Sequence, residues 1–290
     1  MKPPRSPIPI LLGSSLSFAL LALAAKLVTR TLPGEEVTFF RFLLMLAPFA
    51  LRPALVRQAL DFRRLDLLAY RGVFGGVAVL LYFVAIEKIP VSLATLLNYS
   101  SPIWSVSFAA LFLGERVRPL VLAPFGLALA GTILATGAFD AGALTRGVGL
   151  FEGAAFVSSI LSGAAVAAIR AARRTESSWS IYASFTVCGL LVSAPFAFAR
   201  FRWPTPVEWL LLVAVGASSI SAQMLMTYAY RWVTNLQAGV FAQITVVETA
   251  FFGVVFLDER LTPLQLLGAA LAIGGVLGVI AVQRPPSITE

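Results

Sequence analysis

The chain has 290 residues, of which 59% are hydrophobic and 12% charged, with 22 Lys and Arg against 14 Asp and Glu and no histidine. About a quarter of the residues in a soluble protein are charged. At a mean hydropathy of +0.88 there is too little polar surface to solvate a globule of this size, which argues against a soluble enzyme, a disordered chain and a nucleic-acid-binding domain.

The composition is that of an all-α polytopic membrane protein. A hydrocarbon core of about 30 Å takes roughly 20 apolar residues per helix, which predicts ten transmembrane helices. The first, 8–30, follows Lys2 and Arg5; Ala22-Leu23-Ala24 imitates a signal cleavage site, but the apolar run is too long for a signal core. The second, 35–52, is interrupted by Arg41. The third is 66–86, and the fourth, 91–113, lies in a stretch with no charge from Ile89 to Gly114. The remaining spans are 119–138, 147–170, 178–199, 207–230, 236–257 and 263–283. Pro33-Gly34, Pro90, Pro119 and Pro263 punctuate them as helix breakers should.

Basic loop residues set orientation. With the N-terminus inside, 14 of the Lys and Arg residues fall on the cytoplasmic side, among them Arg52, Arg57, Arg63, Arg64 and Arg71 in the loop between spans two and three, and 7 fall on the other. Both termini are therefore expected in the cytoplasm. The net charge of +8 reads as this orientation charge, and no nucleic-acid partner is expected.

The chain also repeats itself. At an offset of 144 residues Leu113-Gly114-Glu115-Arg116 falls on Leu257-Asp258-Glu259-Arg260, Pro119 on Pro263, Ser14-Ser15 on Ser158-Ser159, Gly72 on Gly216 and Gly131 on Gly275. Residues 1–143 and 144–290 thus form two five-helix repeats. Five is odd, so the second half enters the membrane inverted, the plan of secondary transporters whose substrate site lies near the midplane between the halves.

These residues carry a resemblance. Pro102-Ile103-Trp104 through Glu115-Arg116 and Pro119 is similar to the EamA-type signature of the drug/metabolite transporter superfamily, with a second copy from Phe256 through Glu259-Arg260, Pro263 and Gly274-Gly275. Phe39-Phe40-Arg41-Phe42 and Ala85 with Ile89-Pro90 resemble other segments of the family. In the second copy Asp258 replaces the glycine and Val246 stands in place of Pro102. The resemblance implies a ten-helix exporter of small metabolites in a bacterial inner membrane, nearest to the amino-acid exporters and their aromatic branch.

Several side chains are candidates for the transport path. Thr95, Asn98, Tyr99, Pro102 and Ser105 recur at helical spacing near the middle of span four, where they could offer an amide and a phenol to a solute or bond between helices. Tyr82, Tyr182 and Gln243, with Trp179, Gln223 and Tyr228, are amphipathic candidates to line a cavity. Glu248 lies near mid-membrane in span nine, and Arg41 six residues into span two. A charge there faces a cavity or a partner, so Glu248 is either a proton- or ammonium-binding group or the partner of Arg41 in a pair that fixes two helices. Gly72-x3-Gly76, Gly149-x3-Gly153 and Gly274-x3-Gly278 read as close-packing faces, and Glu115-Arg116 and Glu259-Arg260 as turn-fixing pairs.

Alternating-access export of amino acids, aromatic or hydrophobic ones included, is the leading expectation; other small solutes and amphipathic drugs are the alternative. No phosphate-binding loop accompanies a pump. A membrane-embedded enzyme lacks histidine and a Gly-x-Ser-x-Gly nucleophile turn. A passive channel would need a filter-like loop. The lone Cys188 excludes a disulfide framework, and no metal or cofactor is expected. Expected partners are the solute, protons and lipid; the oligomeric state is left open.

Overall fold

The computed structural model describes residues 7–88, 94, 97–98, 100–114, 119–135, 149–199, 201–257 and 262–282. Helix α1 runs over Ile8–Val28, α2 over Gly34–Leu44, α3 over Ala47–Leu51, α4 over Ala54–Leu60 and α5 over Leu65–Lys88. They are followed by α6 (Ser101–Leu113), α7 (Pro119–Ala135), α8 (Leu150–Ala172), α9 (Ser178–Ala199), α10 (Pro206–Ala229), α11 (Asn235–Leu257) and α12 (Pro263–Val282). Each of the ten expected intervals carries helix, and the described residues include no strand. Among the described residues six helices are long and apolar enough to cross a membrane alone; the others are one bent pair and three shorter apolar helices.

Two of the expected spans are not continuous helices. Span two stops at Leu44 and restarts at Ala47 as α3, and the chain then turns by 114° into α4. Pro48 in the first turn of α3 has no N–H to give the Leu44 carbonyl, so the helix cannot run through. Span four is helical at 97–98, turns at Ser100 and restarts at Ser101 with Pro102 in its first turn. Gly114, at φ 63°, takes the left-handed conformation that closes α6, its N–H donating to the Ala109 carbonyl.

Apolar side chains cover the outside: Leu111, Leu191, Leu210, Phe198 and Phe251 are exposed, while Ser14, Ser15, Thr38, Arg41, Arg71 and Ser158 are buried. This polar-in, apolar-out arrangement belongs to a protein solvated by lipid.

The internal repeat recurs in the contacts. Ser14 Oγ donates to the Ala222 carbonyl at 2.9 Å, and Ser158 Oγ donates to the Ala78 carbonyl at 2.7 Å; Ser158 follows Ser14 by 144 positions, and Ala222 follows Ala78 by the same number. Gly131 of α7 meets the backbone of Gly268 and Leu271 in α12, and Gly275 of α12 meets that of Pro124 and Ala128 in α7. Gly72 lies against Cys188, and Gly216 against Leu44. In each case the partners exchange halves, as an approximate two-fold relation requires.

The glycine faces only partly follow the sequence expectation. Gly72 and Gly76 sit at a real crossing of α5 with α9, Gly76 with its α-carbon side against Gly189. Gly153 and Gly274 face open space, so those positions make no close approach; Gly275 does so instead of Gly274. Gly149 caps α8, where its N–H donates to Glu152.

Candidate functional site

Between the halves lies a cavity whose water-accessible volume is about 230 Å³. By the measure in which one water needs roughly 10–15 Å³, this cavity has room for many waters and is not a packing defect. Its walls come from α1, α2, α5 and α6 of the first half and α8, α9, α10 and α11 of the second. Most lining side chains are apolar, including Phe18, Val79, Phe83, Val166, Met226 and Phe241.

Two cations interrupt that apolar surface. Arg41, 3% exposed, donates from Nε to Ser219 Oγ at 2.9 Å, and its guanidinium lies 5.5, 5.6 and 5.9 Å from the ring centres of Phe42, Phe83 and Phe185. Arg71, also 3% exposed, donates from Nη2 to Gln223 Oε1 at 3.1 Å. Its guanidinium sits 4.0 Å from the Phe185 ring centre, close enough for a cation–π contact. Arg71 Nε has no hydrogen-bond partner among the described residues. A Cβ at residue 75 would run into Arg71 Nη1, so Gly75 leaves the space the guanidinium fills.

Arg71 corrects the sequence reading, which assigned it to the cytoplasmic loop. The helix begins at Leu65, so Arg71 stands two turns inside α5 and the orientation count becomes 13 against 7. Its position within the expected span 66–86 was itself the available signal, because an ionisable residue in a span marks a cavity or partner. Ser219 and Phe185 were missed altogether; neither residue type in an apolar run carries a signal.

The expected pairing of Arg41 with Glu248 is not made. Glu248, half-buried on α11, accepts from Ser15 Oγ at 2.5 Å, while Arg41 bonds Ser219. The two charges attach to different neighbours, α1 and α10. Glu248 is not itself on the cavity wall, but Ser15 is, and Thr245, another wall residue, donates to Ser15 Oγ at 3.2 Å.

Of the other candidates, Tyr82 and Asn98 line the cavity, together with Pro102, Ser105 and Gln223. Asn98 Nδ2 also donates to Ser158 Oγ at 3.0 Å, so its amide ties α8 to the segment before α6. Tyr182 and Gln243 do not line it. Tyr182 is buried against Phe42, Met45 and Phe185 and donates its hydroxyl to the Met45 carbonyl at 2.7 Å, bracing the break in span two. Gln243 is fully buried and donates from Nε2 to the Gly239 carbonyl at 3.2 Å. Trp179 packs on Phe49 and Tyr182, and Tyr228 on Trp232. Tyr99, Thr95, Glu115-Arg116 and Glu259-Arg260 lie outside the described residues.

Leu11 and Tyr230 of the wall belong to a buried apolar cluster with Leu68, Ile169, Ile181, Val233 and Leu236, drawn from both halves. The Glu176 carboxylate accepts the backbone N–H groups of Arg63 and Arg64 at 2.9–3.2 Å, and Ser177 and Ser180 donate to the Gln58 carbonyl at 3.2 and 3.0 Å. The connection after α8 is thus clasped to the one before α5. On the opposite face Arg202 bridges the Thr31 carbonyl, at 2.8 Å, and Glu208.

The sequence pattern of the EamA-like transporter family matches residues 5–137 and again 150–281. The "Pseudopaline exporter CntI" of Pseudomonas aeruginosa is 28% identical over 93% of each chain. An "Uncharacterized transporter" of Helicobacter pylori is 26% identical over 92% of this chain and 91% of its own. The "Aromatic amino acid exporter YddG" of Ancylobacter novellus is 30% identical over 54% of each chain. A solved crystal structure with 23% identity superposes over 96% of this chain and 98% of its own at a TM-score of 0.78, a likeness of fold.

Proposed function

This chain belongs to the EamA-like transporter family, and on that premise we propose that it exports small amphipathic metabolites of amino-acid size, aromatic or hydrophobic amino acids among them, by alternating access. The observation that carries the reading is the central cavity, shared between helices of both halves, apolar over most of its surface and polar at a few points. An amino acid divides in the same way into an apolar body and a polar head. Rocking one half against the other would open the chamber to each side in turn, and the solute would leave chemically unchanged.

Glu248 is proposed as the group that meets a proton or the ammonium of the solute, reached through Ser15 at the wall. Both termini are placed in the cytoplasm of a cell whose inner membrane holds the protein, on the strength of the 13:7 distribution of basic residues. The exporters among the relatives support the direction of transport.

The test is counterflow in proteoliposomes loaded with a panel of amino acids, sugars and amphipathic cations, with and without a pH gradient. Saturable exchange of phenylalanine or leucine is expected. Exchange confined to sugars, or an ohmic current with no saturation, would sink the reading.

A further inference from the structure

We propose that Arg41 and Arg71 together form the anchor for a carboxylate of the transported solute. The proposal rests on the transport reading above and adds the chemical class that the cavity selects. Two guanidinium groups, both almost fully buried, reach one small chamber. Both face the same Phe185 ring, at 5.9 and 4.0 Å from its centre; the sum of these distances, 9.9 Å, is the upper limit on their separation.

Neither cation is neutralised by a described residue. Among the described residues no carboxylate bonds to either, and each donates to one neutral side chain, Ser219 for Arg41 and Gln223 for Arg71. A guanidinium has five N–H donors and stays charged at neutral pH, so most donors of both are unspent, the buried Nε of Arg71 among them. Like charges held this close in a low-dielectric chamber repel. Contact with the Phe42, Phe83 and Phe185 faces offsets part of that cost but cancels no charge. A carboxylate would, and its two oxygens match the planar fork of a guanidinium.

The repeat supplies a second argument. The residues 144 positions after Arg41 and Arg71 are Phe185 and Val215, both buried at the corresponding places of the second half. The scaffold therefore closes these helix contacts with apolar side chains. Charge at the first-half positions is not a requirement of the fold. Ser219, Gln223 and Gly75 then act as positioning residues: the first two each fix one N–H of an arginine, and Gly75 leaves room for the Arg71 guanidinium.

The experiment uses the full chain in detergent, labelled with the arginine reagent phenylglyoxal and read residue by residue by mass spectrometry. Three probes share one 3-phenylpropyl body, 3-phenylpropanoate, 3-phenylpropanamide and 3-phenylpropan-1-amine, and phenyl phosphate offers a different anion on the same ring. At ten times its Kd, 3-phenylpropanoate should slow labelling of Arg71 and Arg41 by about 10-fold, as occupancy demands, with the amide and the amine far less effective. In proteoliposomes, R71Q should raise the KM for phenylalanine by about 10-fold or more, with R71K between it and the native protein because lysine keeps the charge without the fork.

Equal protection by acid and amide would overturn the proposal. So would stronger protection by phenyl phosphate, protection by no probe, or arginines that never react in any condition. Protection by 3-phenylpropanoate without counterflow of phenylalanine would leave the anchor standing and defeat the amino-acid export reading. Counterflow that treats amino acids and their amides alike would do the reverse.

Discussion

Substitution of Gly131 or Gly275 by alanine should destabilise the protein, whereas the same change at Gly126 or Gly274 should not. A Cβ at residue 131 would stand 2.6 Å from the Gly268 carbonyl oxygen and 2.8 Å from the Leu271 carbonyl carbon; at residue 275 it would stand 2.5 Å from Ala128 N and 2.6 Å from the Pro124 carbonyl oxygen. All are backbone atoms and cannot rotate away. Ordinary contact begins at 3.4 Å, so α7 and α12 must part by about 0.9 Å at residue 275, the difference between 3.4 and 2.5, and by more at residue 131, where Ala272 N stands nearer still. Overpacking of this kind costs about 1–3 kcal/mol. Gly126 and Gly274 have nothing within 4 Å, and alanine there gains up to about 1 kcal/mol of helix propensity. The two classes should therefore differ by roughly 2–4 kcal/mol. Equilibrium unfolding by SDS in mixed micelles, followed by circular dichroism, measures this directly. The two crossing variants should also resemble each other, because the repeat exchanges them. Stability of G131A and G275A at or above that of G126A would refute both the close crossing and the symmetry.

Tyr182→Phe removes the hydroxyl bond to Met45 and should cost about 1 kcal/mol of stability while leaving the KM for phenylalanine unchanged; a raised KM would return Tyr182 to the solute path. Glu176→Ala strips the acceptor from the backbone N–H groups of Arg63 and Arg64 and should cost about 1–3 kcal/mol, seen as faster proteolysis of the 58–64 segment, with Glu176→Gln intermediate. Glu248→Gln keeps an acceptor for Ser15 and should preserve stability but lose the response of counterflow to a pH gradient or raise the KM for phenylalanine. An unchanged profile on both counts would reduce the carboxylate to a helix tie.

The fold was readable because lipid demands long apolar runs, and because a duplicated chain repeats its glycines, serines and prolines at one offset. The pairs Ser14–Ala222 and Ser158–Ala78 are that offset expressed as hydrogen bonds. The site was less readable. In water a helix marks its buried face by apolar periodicity, but in a bilayer the outward face is as apolar as the core, so nothing in the sequence separates Tyr82, on the cavity wall, from Tyr182, packed behind it. Asn98 stood out because an amide in an apolar run is conspicuous on any face. Arg71 was conspicuous too, but counting basic residues near span ends as loop charge concealed it. The proximity of Arg41 to Arg71 depends on how α2, α5 and α9 meet around Phe185, a long-range arrangement that local spacing does not encode.

The most direct test of alternating access around this cavity is the sidedness of a single cysteine at Asn98, introduced after replacing Cys188. Membrane-impermeant thiol reagent is applied to sealed vesicles of either orientation, with and without saturating phenylalanine on one side. Reaction from each face in separate conformations is expected, with phenylalanine shifting the balance between the faces and slowing the total rate. Simultaneous access from both faces, indifferent to phenylalanine, would describe a channel, and reaction from neither face would place Asn98 outside the path; either result contradicts the account.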